Sequence, residues 1–311
     1  MMWILFAAAA LAASPSPGPE RELTAGSGGL LKGTLVGPKR SAATVIIIPG
    51  SGPTNRDGDN AIGKSQSYKL LAEALAAEGL TSVRIDKRGM FGSAAAGNPN
   101  AATIALYAQD TGAWVTAARK ATGARCVWLA GHSEGGVVAL AAARQPGVCG
   151  LVLLATPGRK LGDTIRDQLR ANPANAPILA QAEAALATLE AGRKVDVAGL
   201  HPALGQGLFN PAVQDFLIDL LARDPAIMVR SARLPLLVVQ GGRDLQVTAA
   251  DADALSGARP GVVRADFPQM SHVLKDAPAD RAGNVASYAD PALALTPGLA
   301  KRIATFIKDR R

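Results

Sequence analysis

The sequence predicts an α/β fold: a mostly parallel central sheet with helices on both faces and a helical insertion before the last strands. Three observations point there. From residue 43 to 157, apolar runs of strand length alternate with segments of helical periodicity, the pattern of a parallel sheet covered on both sides. Between residues 158 and 232 the alternation stops, and an Ala-, Leu- and charge-rich stretch broken by Pro and Gly takes its place. Strand character then returns at LPLLVVQGGRD (234–244) and PGVVRADFP (260–268).

Taken in order, RELTAG and GLLKGTLVG read as an antiparallel hairpin leading into the sheet. ATVIIIPGSG (43–52) is a buried strand running into a glycine-rich turn. SQSYKLLAEALAAEG (65–79) carries apolar residues at helical spacing and stops at Gly79. A strand at 81–89, a helix at 104–122, a strand at 126–133, a helix at 134–147 and a strand at 149–157 follow. Inside the insertion, IRDQLRA, APILAQAEAALATLEAGRK and NPAVQDFLIDLLARDP read as helices of a cap. TPGLAKRIATFIKDRR closes the chain as a helix.

Composition bounds the function. With 311 residues, 48% hydrophobic and 19% charged, the chain can bury a large core and is not a disordered protein. The net charge of +8 is dispersed, with no basic run of five and no interleaved aromatics, which argues against a nucleic-acid partner. No internal repeat occurs. The run MMWILFAAAALAAS is about a dozen residues long, too short to span a bilayer, which takes roughly 20. It reads as the hydrophobic region of a signal peptide covering residues 1–13, with Ala10-Leu11-Ala12 as the cleavage site, although no Lys or Arg precedes it. The expected destination is periplasmic or secreted, without stable membrane insertion after cleavage, or cytoplasmic if the segment is not a signal. Cys126 and Cys149 each open a strand-like run. If those strands are parallel neighbours the thiols come side by side, either as a disulfide or as two buried free cysteines.

The candidate chemistry centres on GHSEG at residues 131–135. In a chain with 33 glycines and 14 serines, G-x-S-x-G arises by chance about 0.16 times. The pentapeptide is therefore only as strong as its context, which is a buried strand before it and a helix after it. That is the setting of a nucleophile elbow, where a strand turns into a helix around a strained serine and Gly131 and Gly135 leave room for the turn. A serine nucleophile needs a base, an acid to orient the base, and donors for the oxyanion. Of the three histidines, His132 abuts Ser133 and projects away from it, and His201 lies in the insertion, so His272 is the expected base. Asp244, at the end of a strand, is the expected acid, with Asp251, Asp253 and Asp266 as competitors. The Glu134 N–H and the Ser51 N–H in PGSGP (49–53) are the expected oxyanion donors. Three histidines at 132, 201 and 272 form no metal-ligand pair, and a serine at the nucleophile position does not fit dehalogenase or epoxide hydrolase chemistry.

On these residues the chain resembles the α/β-hydrolase superfamily over residues 20–311, with Ser133 in GHSEGG, Asp244 in GGRDLQV and His272 in QMSHVLK in the superfamily's order. More narrowly it resembles bacterial esterases labelled serine aminopeptidase S33-type or dienelactone-hydrolase-like, through PGSGPTNRDGDN, RIDKRGMFGS and GRDLQV. The resemblance implies about eight strands, a helical cap after the sixth, carboxylesterase activity, and no metal or organic cofactor. It also places the strands beginning at Cys126 and Cys149 side by side, which favours the disulfide. Asn55 and Phe91 depart from the group's pattern, at positions expected to shape the mouth of the site. Arg56, Asp57 and the DKRG loop read as structural ion pairs.

The expectation is a serine hydrolase acting on small to medium acyl esters, with core segments 20–157 and 233–311 and a cap at 158–232. A peptidase or aminopeptidase of the same fold is the first alternative, with the cap acids Asp163, Asp167, Glu183 and Glu190 available to a free amine. A non-catalytic binding protein of this fold is the second.

Overall fold

A computed structural model describes residues 18–38, 40–61 and 63–310, so the signal-peptide segment and Ala10-Leu11-Ala12 lie outside the described residues. Eight strands form one sheet: β1 (Arg21–Ala25), β2 (Leu31–Val36), β3 (Thr44–Ile48), β4 (Thr81–Ile85), β5 (Val127–His132), β6 (Val148–Leu154), β7 (Leu236–Gly241) and β8 (Val263–Phe267). Their spatial order is β1-β2-β4-β3-β5-β6-β7-β8. The first two strands pair antiparallel, β2 runs antiparallel to β4, and every later pairing is parallel.

The helices among the described residues are α1 (Ser67–Ala77), α2 (Ile104–Thr122), α3 (Glu134–Ala141), α4 (Leu161–Arg170), α5 (Leu179–Glu190), α6 (Gln214–Leu221), α7 (Pro225–Ser231), α8 (Ala249–Gly257), α9 (Arg281–Ala286) and α10 (Leu299–Lys308). The two faces of the sheet divide by the strand period of two. Val45 and Ile47 pack toward α1 and α10, against Leu71, Leu75, Ile303 and Phe306. Ile46 and Ile48 face the opposite way, into a core with Trp114 and Val115 of α2 and Val137 of α3. Continuous apolar runs are what such doubly covered strands require.

Helices α4 to α6 carry a separate small core built on Ile165, Leu186, Leu189, Phe209 and Leu221. This is the cap, reached through the crossover between β6 and β7. Helix α7 falls within 158–232 but buries Val229 in the main core, so its packing belongs to the body of the molecule. Two further details differ from expectation. Helix α3 stops at Ala141 rather than 147, because a residue preceding proline, here Gln145 before Pro146, is disfavoured in helical geometry. Helix α8 was not among the elements read from the sequence, where Asp251 and Asp253 stood only as competitors to Asp244. Its capping box, in which Thr248 and Asp251 satisfy each other's backbone, starts a helix despite three aspartates in the segment 244–253.

At the N-terminal edge of the sheet, Cys126 and Cys149 form a disulfide with Cα atoms 5.4 Å apart. The opposite, C-terminal edge carries the candidate site.

Candidate active site

Strand β5 ends at His132, and α3 begins at Glu134, which leaves Ser133 to make the whole turn. It does so at φ 53 and ψ −123, a conformation costly for any residue with a Cβ. The flanking glycines make the turn possible. A Cβ on Gly131 would lie 2.2 Å from the Gly135 carbonyl oxygen, and one on Gly135 would lie 2.3 Å from the Ile48 carbonyl oxygen. Strain at one serine, tolerated only because its neighbours have no side chains, marks a position held for a purpose.

The loop after β7 places Asp244 and the loop after β8 places His272. The two meet through a hydrogen bond of 2.9 Å from His272 Nδ1 to Asp244 Oδ2. The other oxygen, Asp244 Oδ1, accepts from the backbone N–H groups of Gln246 at 2.8 Å and Val247 at 2.9 Å. The carboxylate is fully buried and aimed. Donation from Nδ1 leaves Nε2 as the basic nitrogen of His272, free to take a proton from a serine.

His132, the histidine set aside as a base in the sequence, sits at the centre of this arrangement. Its Nε2–H donates to the His272 carbonyl oxygen at 2.7 Å, and its Nδ1 accepts from the Tyr68 hydroxyl at 2.8 Å. Tyr68 in turn accepts from the Gly50 N–H at 3.0 Å. Burial, and secondarily the neighbouring His272, push the His132 pKa down to about 3, so the ring stays neutral as its two partners require. One imidazole thus ties the His272 backbone to α1 and to the loop after β3.

That loop is held from a second side. Lys87, just after β4, donates from Nζ to the Gly50 carbonyl oxygen at 2.7 Å and lies 3.4 Å from Glu134 Oε1, and both side chains are buried. Every described peptide bond is trans, so the Gly50 carbonyl and the Ser51 N–H point in opposite directions across one planar group. Anchoring the carbonyl to Lys87 therefore turns the Ser51 N–H away from Lys87. Neither it nor the Glu134 N–H, at the first position of α3, is taken up by another group among the described residues.

Two cavities open on Ser133. The larger, about 710 Å³, is roofed by the cap residues Leu161, Ile165, Phe216 and Leu217 and floored by Val137 and Tyr107, with Ser51 and Glu134 at its inner end. The smaller, about 180 Å³, is lined by hydroxyl and amide side chains and by His272. Among the described residues, Lys87 and Glu134 are the only Asp, Glu, Lys or Arg side chains lining either cavity, and they face each other.

The remaining sequence candidates lie elsewhere. Asp251 is buried but engaged by Arg159, Thr164 and the α8 cap. Asp253 and Asp266 pair with Arg264 at the surface. Asp163, Glu183 and Glu190 surround Arg166, and Asp167 pairs with Arg159, so the cap acids hold the cap together and line neither cavity. His201 is exposed on the cap. Arg56 pairs with Asp86, Arg84 with Asp57, and Arg88 with Asp110. Phe91 does stand at the mouth, exposed and lining the large cavity. Asn55 does not: its Oδ1 accepts from Asp57 N and Asp59 N at 2.9 Å, because a short polar side chain satisfies its own turn before it reaches out. Tyr68 and Lys87 were not identified from sequence. Lys87 lies in the DKRG loop read as structural ion pairs, which its contact with Glu134 bears out, but its hold on the Gly50 carbonyl has no signal among the charges of RIDKRG, and Tyr68 stands in an ordinary apolar helix pattern. Among the described residues no three His, Cys, Asp or Glu side chains gather as a metal site.

Comparison with known proteins adds to this geometry. Residues 61–189 match the model of a family described as serine aminopeptidase, S33. Esterase EstD of Thermotoga maritima is 27% identical over 267 residues, covering 84% of this chain, and the chain spans about 61% of that relative's length. The structure superimposes on the Pyrococcus furiosus esterase Pf2001 with a TM-score of 0.59 at 16% identity, covering 94% of this chain and 91% of that one. It superimposes on proline iminopeptidase of Mycobacterium smegmatis with a TM-score of 0.55 at 18% identity, covering 94% and 98%.

Proposed function

We propose that this chain, a member of the α/β-hydrolase superfamily, is a serine hydrolase that cleaves carboxylic esters of small to medium acyl groups. The observation that carries the reading is a strained serine that lines one cavity with an aspartate-oriented imidazole and another with the residues that bear two unengaged backbone N–H groups. In the first half-reaction Ser133 Oγ adds to the ester carbonyl while His272 Nε2 takes its proton. The carbonyl oxygen becomes an oxyanion held by the Ser51 and Glu134 N–H groups. The tetrahedral adduct collapses, the alkoxide leaves with the proton from His272, and an acyl group remains on Ser133. Water, deprotonated by the same imidazole, repeats the sequence, releases the acid and regenerates the serine. Asp244 stabilises the imidazolium formed in each half.

The lining of the site favours esters over peptides with a free amino terminus. Such an ammonium needs a carboxylate, and the only Asp or Glu among the described residues that lines either cavity, Glu134, already faces Lys87. The apolar large cavity suits a hydrocarbon acyl chain, and its volume lies within the usual range of ligand sites. The disulfide and the N-terminal apolar run support a periplasmic or secreted location, since such bonds persist in oxidising compartments.

The reading is tested with 4-nitrophenyl esters from acetate to octanoate beside aminoacyl anilides, on the native chain and on Ser133→Ala. Ester turnover by the native chain, lost in the variant and exceeding anilide turnover, is expected. Anilide cleavage without ester cleavage would move the assignment to a peptidase.

A further inference from the structure

We infer that the smaller cavity is the leaving-group site and that it selects a compact, uncharged alcohol carrying free hydroxyls. The inference rests on the serine-hydrolase reading above and extends it to the half of the substrate that departs.

The first step is chemical. The alkoxide must receive its proton from His272, so the alcohol lies on the side of Ser133 that His272 lines. His272 lines the small cavity and not the large one. Glu134 and the apolar walls line the large one, which assigns it to the acyl chain. A volume of about 180 Å³ against about 710 Å³ makes the alcohol the smaller part.

The second step concerns what the walls offer. Among the described residues no Asp, Glu, Lys or Arg lines the small cavity, so a charged alcohol would lose its hydration without gaining a partner. Ser65 Oγ donates to the Gly58 carbonyl at 2.7 Å and accepts from the Ser67 N–H at 3.4 Å, while Ser67 Oγ lies 2.7 Å from the Val273 carbonyl and 3.0 Å from Ser65 Oγ; its single proton is taken up within this set, and Ser67 Oγ keeps a lone pair as an acceptor. Tyr288 supplies the donor. Its hydroxyl is buried facing Gln246 without a hydrogen bond of ordinary geometry, and burial, followed by the nearby Asp244 charge, pushes its pKa up to about 12. A buried hydroxyl left in that state is costly unless something binds it. A hydroxyl on the leaving group, able to donate and accept at once, complements this set. A hydrocarbon would leave Tyr288 unpaired.

The test keeps the acyl group fixed and varies the alcohol: propyl, 3-hydroxypropyl and 2,3-dihydroxypropyl butanoate, with butanoylcholine as the charged comparison, followed by pH-stat titration. All four share one butanoyl-enzyme, so differences in kcat/KM, normalised to hydroxide-catalysed rates, arise where the alcohol is still bound. A rise of about tenfold from propyl to dihydroxypropyl is expected, the scale of one or two net hydrogen bonds, with butanoylcholine no better than propyl. Tyr288→Phe should cut that preference by about three- to tenfold, and Gln246→Leu serves in its place if Tyr288→Phe does not fold. A flat or falling series in the native chain, a preference for butanoylcholine, or a preference untouched by either variant overturns the inference. 4-Nitrophenyl butanoate run alongside separates the two levels. Its hydrolysis by the native chain but not by Ser133→Ala, together with a flat alcohol series, removes this inference alone. Hydrolysis that survives Ser133→Ala removes the reading beneath it.

Discussion

The two ends of strand β5 solve opposite problems. At its N-terminal end, Cys126 is bonded to Cys149 of β6, a covalent clip at an edge where no cavity opens on Ser133. At its C-terminal end, the same strand delivers His132 and Ser133 into a cluster of strained backbone and buried polar groups. Ordering that cluster opposes folding, because each buried polar atom must be satisfied and Ser133 must hold an unfavourable conformation. The clip acts chiefly by restricting the unfolded chain. The division teaches that one strand can carry stability at one edge and chemistry at the other, and that damage at the two edges should separate in the laboratory.

The largest expected effect lies at the chemical edge. Asp244→Asn keeps the fold but loses the carboxylate that fixes the His272 tautomer, and kcat should fall by about 10⁴-fold with little change in thermal stability. Lys87→Met comes next. It frees the Gly50–Ser51 peptide, and kcat should fall by about 10- to 100-fold, with affinity for a trifluoromethyl ketone falling in parallel while KM holds. A fall in KM-dependent binding alone would assign Lys87 to the substrate rather than to the oxyanion loop.

A smaller effect appears with pH. The folded His132 titrates near 3 and the unfolded one near its ordinary value of about 6.5, so the unfolded chain takes up a proton that the folded chain refuses. The stabilisation is complete above about pH 6.5 and is lost as pH falls toward 3, by up to about 1.4 kcal/mol per pH unit from this group. Denaturant titrations across that window should show the slope in the native chain and a flatter one in His132→Gln. At the other edge, Cys126→Ser should remove about 3 kcal/mol of stability, for a closed loop spanning a sequence separation of 23, and leave kcat unchanged. If Cys126→Ser also slowed turnover, the separation of the two edges would fail.

Much of this was legible in the chain. Strands β3, β6 and β7 are written in apolar runs, and helix α2 was read from periodicity with the bounds it has in the structure. Ser133, Asp244 and His272 could be picked out because three histidines and one elbow leave few combinations. What escaped depends on contacts distant in sequence. Tyr68 and His132 are 64 residues apart, and Lys87 and Glu134 are 47 apart, so no local pattern announces either pairing. Helix α8 escaped because its aspartates looked like loop charge, although Thr248 and Asp251 spell a capping box. Helix α7 escaped altogether: the short segment Pro225–Ser231 follows the last helix read in the insertion, and its sequence does not reveal that Val229 joins the main core.

The central claim is that Ser133 is the nucleophile. Incubation with a fluorophosphonate, followed by peptide mass mapping and residual ester turnover, tests it directly. One phosphonyl group on the peptide containing Ser133, rising in step with loss of activity and absent in Ser133→Ala, is the expected result. Full inactivation with that peptide unmodified, or with the label on another residue, would contradict the account.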